Sequence, residues 1–281
     1  MSISSSALLV RFTVRSWAAR KLDRTQTDNV SYNTGAKKNA GTYTKDLMAG
    51  TKYVREMNLF AGRSRTEEHD WTLPWEDRGD RILPSSLLLD FKTEFNNRRD
   101  HFYKGRDYIC DNYDQLVRIA ETSLGAMYNP SDYPTADEVY AKYQWKLTLK
   151  TVPKSGHLYL DLPAKDLEEL REALDQENEE KTQKAMGGAW HRLHGMLSDM
   201  SDKLTTTEAK QHWYGSFVDN PRHLCDMLSH LNVTNDPDLE RARVMLERTM
   251  QGVDIEDIKE SPATREDMKV KVDSIISQFD W

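Results

Sequence analysis

Three carboxylates stand within five positions in Trp71–Pro84, WTLPWEDRGDRILP: Glu76, Asp77 and Asp80. Oxygen ligands that close could gather around a hard cation. Nothing in the pattern supplies six of them, however, and Arg78 and Arg81 are at hand as ion-pair partners. A salt-bridged loop is therefore the reading preferred over a metal site. Arg78-Gly79-Asp80 also spells a cell-adhesion tripeptide, which is read as chance in a chain whose start lacks an export signal. His191 and His194 lie three apart, one turn on one helix face, a spacing that can chelate zinc. His212, His223, Cys225 and His230 follow downstream as further donors, but the glutamate of a metalloprotease pattern is missing. Partly exposed helix histidines are the plainer reading.

Basic and aromatic residues interleave near the start, at Arg11, Phe12, Arg15, Trp17, Arg20, Lys21 and Arg24. Stacking combined with phosphate contact is how single-stranded nucleic acid is held. Residues 1–65 carry twelve Lys/Arg against four Asp/Glu, whereas the remainder carries 27 against 42. That asymmetry suits a nucleic-acid surface. The preferred reading is that the basic part lies against the chain's own acidic helices. The glycines exclude several nucleotide and acyl-transfer sites: no GxxxxGK[ST], no GxGxxG and no nucleophile elbow occurs. No cofactor is implied.

The elements that must position these groups read as mainly α, a multi-helix bundle with one long helix and a small antiparallel sheet. High charge, 30%, beside a hydrophobic fraction of 38% favours wide solvated helix faces over a compact β protein. In Leu8–Ser16, Val10, Phe12 and Val14 alternate with Arg11, Thr13 and Arg15, the period of an amphipathic strand. Trp17–Arg24 reads as helical and basic, 31–41 as a loop, and a helix is expected from Thr42 to about Glu68. Prolines keep Trp71–Pro84 out of plain helix and central strand, while Trp71, Leu73, Trp75, Ile82 and Leu83 call for burial, so a rigid packed loop is expected.

A helix capped by Ser85 or Ser86 and another over about Tyr113–Met127 follow. Thr135 and Glu138 stand at capping-box spacing. Gln144–Asp161 reads as a central hairpin, with Leu8–Ser16 joining it as a third strand. Pro163 opens the longest helix, running to about Leu204, whose centre Asp175–Lys184 holds no apolar residue. Gly187-Gly188 could kink it. Further helices are expected over Trp213–Leu231, Asp238–Met250 and Arg265–Phe279. The division read from this pattern is 1–162, helices with the small sheet, and 163–281, the long helix with the C-terminal helices.

No apolar run approaches the roughly 18 residues of a membrane helix. Two cysteines, Cys110 and Cys225, make no disulfide framework, and a reducing cytosol is the simplest setting.

The order of LLVRFTVRSWAARKLD, TLPWEDRGDRILP, NPSDYPTADEVYAKYQWKLTL and HLCDMLSHLNVTNDPDLERAR resembles a family of phage and prophage proteins known as a domain of unknown function. Its members are often encoded near a MoxR-type AAA+ ATPase and a cobaltochelatase-subunit-like protein. The resemblance runs from about residue 7 to 250 and is strongest over Thr72–Pro84. It implies a phage protein in the cytoplasm of an infected bacterium, without an assigned active site. The expectation is a non-enzymatic adaptor making protein–protein contacts, with the AAA+ ATPase as partner. Trp75, Glu76, Asp77, Arg78, Asp80 and Arg81 are its candidate contact residues. Two alternatives stand beside it. One is a nucleic-acid accessory protein using Arg11, Arg15, Arg20, Lys21 and Arg24; the other is a metal-dependent enzyme around His191 and His194.

Overall fold

The computed structural model describes residues 3–37, 40–77, 79–205 and 213–281. The protein is mainly helical, with one long helix and a small antiparallel sheet. The chain divides into two compact units: Met1–Arg11, His69–Phe91 and Thr148–Trp281 form the first, and Phe12–Glu68 and Lys92–Leu147 the second.

In the first unit, α1 (Ile3–Ser6) leads into β1 (Ala7–Arg15), whose opening residues pair with β5 (Arg81–Pro84) in the register Ala7–Pro84 to Val10–Arg81. A short edge strand, β4 (Leu73–Pro74), pairs back onto β5 through Leu73–Ile82 and Pro74–Arg81. With β6 (Gln144–Thr151) the sheet order is β4-β5-β1-β6. The tryptophan- and proline-rich stretch is thus a hairpin rather than a loop, and β5 lies inside the sheet. Strand pairing tolerates the prolines because Pro74 is in the edge strand and Pro84 is the last residue of β5. Leu73, Ile82 and Leu83 are fully buried, as their apolar character requires.

β6 flanks β1, the pairing anticipated for the N-terminal strand. The second half of the 144–161 hairpin is not strand: Ser155–His157 is a 3-10 turn and residues 158–161 carry no ladder. Pro153 lacks the donor that a returning strand would need, and its carbonyl instead accepts from Asn178 Nδ2 at 2.9 Å.

The long helix, α7 (Ala164–Thr205), is continuous through Gly187-Gly188. Its C-terminal half buries Ala185, Met186, Ala189, Leu193, Leu197, Met200 and Leu204 at helical spacing. Against it pack α8 (Ser216–Leu231) and α11 (Pro262–Gln278), with α9 (Pro237–Met250) and α10 (Ile255–Glu260) completing the layer. Asp236 caps α9 through the Asp238 and Leu239 N–H groups and accepts from Trp190 Nε1 at 3.0 Å.

In the second unit, the basic helix expected over Trp17–Arg24 is replaced by β2 (Arg20–Leu22), paired with β3 (Thr44–Asp46), and by α2 (Arg24–Thr34). Ala19 at φ 50° breaks the chain before β2, and Asp23 caps α2 through the Gln26 N–H. The helix expected from Thr42 starts only at Tyr53, because Gly50 turns the chain at φ 81°. From there run α3 (Tyr53–Trp71), α4 (Leu88–Asp111) and α5 (Tyr113–Leu124). α6 (Ala136–Ala141) has the expected Thr135–Glu138 capping box. An aromatic core joins these elements: the Phe12 ring lies 5.0 Å from Phe95 and 4.6 Å from Trp145. Glu68, buried in α3, accepts from the Phe12 N–H at 3.2 Å. Lys45 is buried between Asp132, at 2.6 Å, and Asp23, at 3.6 Å. α3, α4, β1 and β6 each carry residues of both units.

Among the described residues no helix is long and apolar enough to cross a membrane.

Candidate functional site: a charged hairpin braced on the long helix

The turn between β4 and β5 is closed by the Glu76 N–H donating to the Asp80 carbonyl at 3.0 Å. Glu76 Oε2 folds back to accept from the Asp80 N–H at 3.2 Å. A Cβ at Gly79 would stand 1.8 Å from that oxygen, so a larger residue there would displace the Glu76 carboxylate. The Asp80 carboxylate points inward, is almost wholly buried, and receives a cation on each oxygen. Arg11 Nε is 2.6 Å from Oδ1 and Lys150 Nζ is 2.8 Å from Oδ2. Burial alone would raise its pKa; the hydrogen bonds from Lys150 and Arg11 outweigh that and hold the carboxyl below its ordinary value. Arg11 also reaches Glu76 at 3.3 Å. Glu76 and Asp80 are thus held by ion pairs, as the salt-bridged reading expected, but their cations are the distant Arg11 and Lys150 and not the neighbouring arginines that the sequence offered.

The hairpin then grips α7. Trp75 is buried, 3% exposed, with Lys181 Nζ 5.6 Å from its ring centroid. Asp77 pairs with Lys184, three residues further along α7, and that hydrogen bond lowers the Asp77 pKa. Pro74 lies so near α7 that a Cβ on Gly188 would meet its ring carbons at 3.0 and 3.2 Å. One turn on, Arg192 donates to the carbonyls of Thr72 at 2.5 Å and Asp70 at 3.3 Å. The Thr72 carbonyl also accepts from Arg81 at 3.2 Å, and Arg81 Nε donates to Thr72 Oγ1 at 2.6 Å. Burial, together with the neighbouring Arg81 charge, pushes the Arg192 pKa down to about 10. The same burial and the same two guanidinium groups lower the pKa of His69.

Of the six contact residues expected here, Trp75 and Asp80 are interior, Arg81 is partly covered, and Glu76 and Asp77 face solvent while paired. Arg78 lies outside the described residues.

The members of the basic N-terminal set differ in their surroundings. Arg11 belongs to the hairpin network. Arg15, Arg20 and Arg24 are exposed, and Lys21 is 3.7 Å from Asp132. Phe12 and Trp17, the aromatics of the stacking pattern, pack inward, Trp17 beside Tyr113 at 6.1 Å.

His191 is exposed on α7. The ring of His194 lies 4.9 Å from Trp281, with Ser198 Oγ 3.4 Å from Nε2. His230 Nδ1 is 3.1 Å from Ser86 Oγ. Cys225 is buried, its thiol pushed up to about 12 by burial. His212 lies outside the described residues. Among the described residues no three His, Cys, Asp or Glu side chains gather as metal ligands.

Sequence reasoning missed the partners that come from far along the chain: Lys150 for Asp80, and Lys181, Lys184, Gly188 and Arg192 for the hairpin's outer side. The last four step along one face of α7, at the end of its apolar-free stretch. That spacing was the readable signal.

The arrangement defines a class, a helical scaffold whose long helix is clamped by a charged hairpin. No protein-family model, no curated protein and no solved structure matches the chain.

Proposed function

We propose that the chain is a non-enzymatic adaptor that works through protein–protein contacts. The family resemblance of its sequence supports reading it as a phage-encoded protein of the infected host's cytoplasm, with a MoxR-type AAA+ ATPase as its partner. One observation carries the adaptor reading. α7 is locked over its C-terminal half by the hairpin and by α8 and α11, while between Val152 and Thr182 no residue is buried. A helix fixed at one end and, at the other, touched by the Ser155–His157 turn yet burying no residue presents a rigid surface without cost in ordering it on binding.

In this reading the Trp71–Pro84 hairpin is the brace that holds α7. Glu76 and Asp77, its exposed members, are the residues a partner could reach. Co-purification of the tagged full chain with the neighbouring ATPase, and a changed ATPase rate in its presence, are the expected results. Absence of both a complex and a rate effect would overturn it.

A further inference from the structure

The first half of α7 is not uniformly polar. Leu167, Leu170 and Leu174 stand at i, i+3 and i+7, the spacing by which one helix anchors on another. The segment returning from β6 runs beside them, with Arg171 donating to the Leu158 carbonyl at 3.4 Å. It adds Tyr159, 80% exposed, Leu160, 50% exposed, and Leu162 to the apolar band. Around this band, Ala164–Glu180 carries eight carboxylates against only Lys165 and Arg171. Single exposed leucines are ordinary. Four exposed apolar residues together, Tyr159, Leu160, Leu162 and Leu170, beside the half-buried Leu167 and Leu174 and framed by one sign of charge, are not.

We propose that this surface, Leu160–Leu162 with the first 17 residues of α7, binds a basic amphipathic helix of a protein partner. The proposal rests on the adaptor reading and names the chemistry of its contact. The apolar band supplies the buried seam and the carboxylates fix the charge of what flanks it. A second copy of the chain fits poorly here, because two such surfaces side by side would set sixteen carboxylates against four basic groups, and like charges facing each other oppose association. A helix of about five turns, roughly 25 Å, matches the length available. Lysines or arginines beside its apolar stripe would meet Glu168, Glu172 and Glu179.

The test uses the full chain and a synthetic 21-residue peptide, with leucines at helical i, i+3, i+4 and i+7 positions and lysines elsewhere. Its control is a scrambled peptide of the same composition. At about 150 mM salt, where exposed charges further apart than roughly 8 Å are screened, the amphipathic peptide should bind saturably. The scrambled one should bind on the order of tenfold more weakly or worse. Replacing the exposed leucines (Leu160→Ser, Leu162→Ser, Leu170→Ser), with unchanged circular dichroism melting, should weaken binding by a similar factor. So should Glu168→Lys with Glu172→Lys and Glu179→Lys. No binding, equal binding of both peptides, or self-association of the chain that the leucine variant abolishes would overturn the proposal. The two readings separate cleanly. A leucine variant that still captures the ATPase leaves the adaptor standing and removes this surface. Peptide binding without ATPase capture does the reverse.

Discussion

Asp80 and Lys150 are seventy residues apart in sequence, yet the lysine ammonium lies 2.8 Å from the buried carboxylate, with Arg11 closing the other side. The ammonium of β6 and the guanidinium of β1 thus converge on one carboxylate at the tip of the β4–β5 hairpin. Removing that carboxylate leaves both cations without their shared partner. Because Arg11 and Lys150 are themselves about half exposed, solvent softens the loss, and Asp80→Asn should destabilise the chain by about 1–3 kcal/mol. Urea unfolding at neutral pH measures it; a change within error would deny the network a structural role.

The same carboxylate gives the pH dependence a definite sign. Its folded-state pKa is below its ordinary value, so its stabilisation is complete above that ordinary value and disappears as pH falls through the folded one. The stability gap between the native chain and Asp80→Asn should therefore hold from pH 7 to about 5 and narrow below about pH 4. A gap that widens on acidification contradicts the assignment.

Trp75 separates brace from docking tip. It is buried, so Trp75→Ala should cost roughly 3–5 kcal/mol and lower the melting temperature. Full stability combined with lost partner capture would instead make it a recognition residue.

Two adjacent glycines of α7 should respond differently to alanine. Gly187 has open space around its missing Cβ, whereas Gly188 faces Pro74 at 3.0 Å. Gly187→Ala should stabilise by about 1 kcal/mol through helix propensity. Gly188→Ala should forfeit much of that gain, since the proline ring or the helix must yield by a few tenths of an ångström. Equal gains in thermal melts would show that the hairpin does not press on the helix.

The nucleic-acid alternative now has a sharper test, because Arg11 is committed to Asp80 and Glu76. Arg15→Glu, Arg20→Glu and Arg24→Glu together probe the exposed cations. On the adaptor reading, neither the native chain nor this variant shifts single-stranded DNA or RNA at low salt. A shift that the triple variant loses would restore the alternative, since phosphate contacts weaken steeply with salt.

Local pattern made some elements legible. Alternation in β1, the apolar period of the C-terminal half of α7 and the Thr135 capping box are written in neighbouring residues, and the structure carries each of them. Where the chain turns on a left-handed residue, the pattern misled. Ala19 announces no break by its type, so β2 was read as helix, and the apolar residues ahead of Tyr53 were joined to α3 across Gly50. The hairpin was half legible. The cations on its carboxylates, Arg11, Lys150 and Lys184, are not the arginines beside them, whereas its burial followed from Trp75, Ile82 and Leu83. Its strands did not, because ladder partners at Ala7–Val10 lie more than seventy residues upstream. The same distance hid Lys150 and Arg192, whose roles depend on which elements the fold brings together.

The interleaving of the two units has a consequence for synthesis. The second unit uses no residue beyond Leu147, whereas the first needs α7, α8 and α11 to cover β4 and to fill its helical layer. A chain emerging from the ribosome therefore releases every residue of the second unit while the first still lacks most of its mass. Its opening strand and hairpin must then wait, with Leu73, Ile82 and Leu83 uncovered, for more than a hundred residues still to be translated.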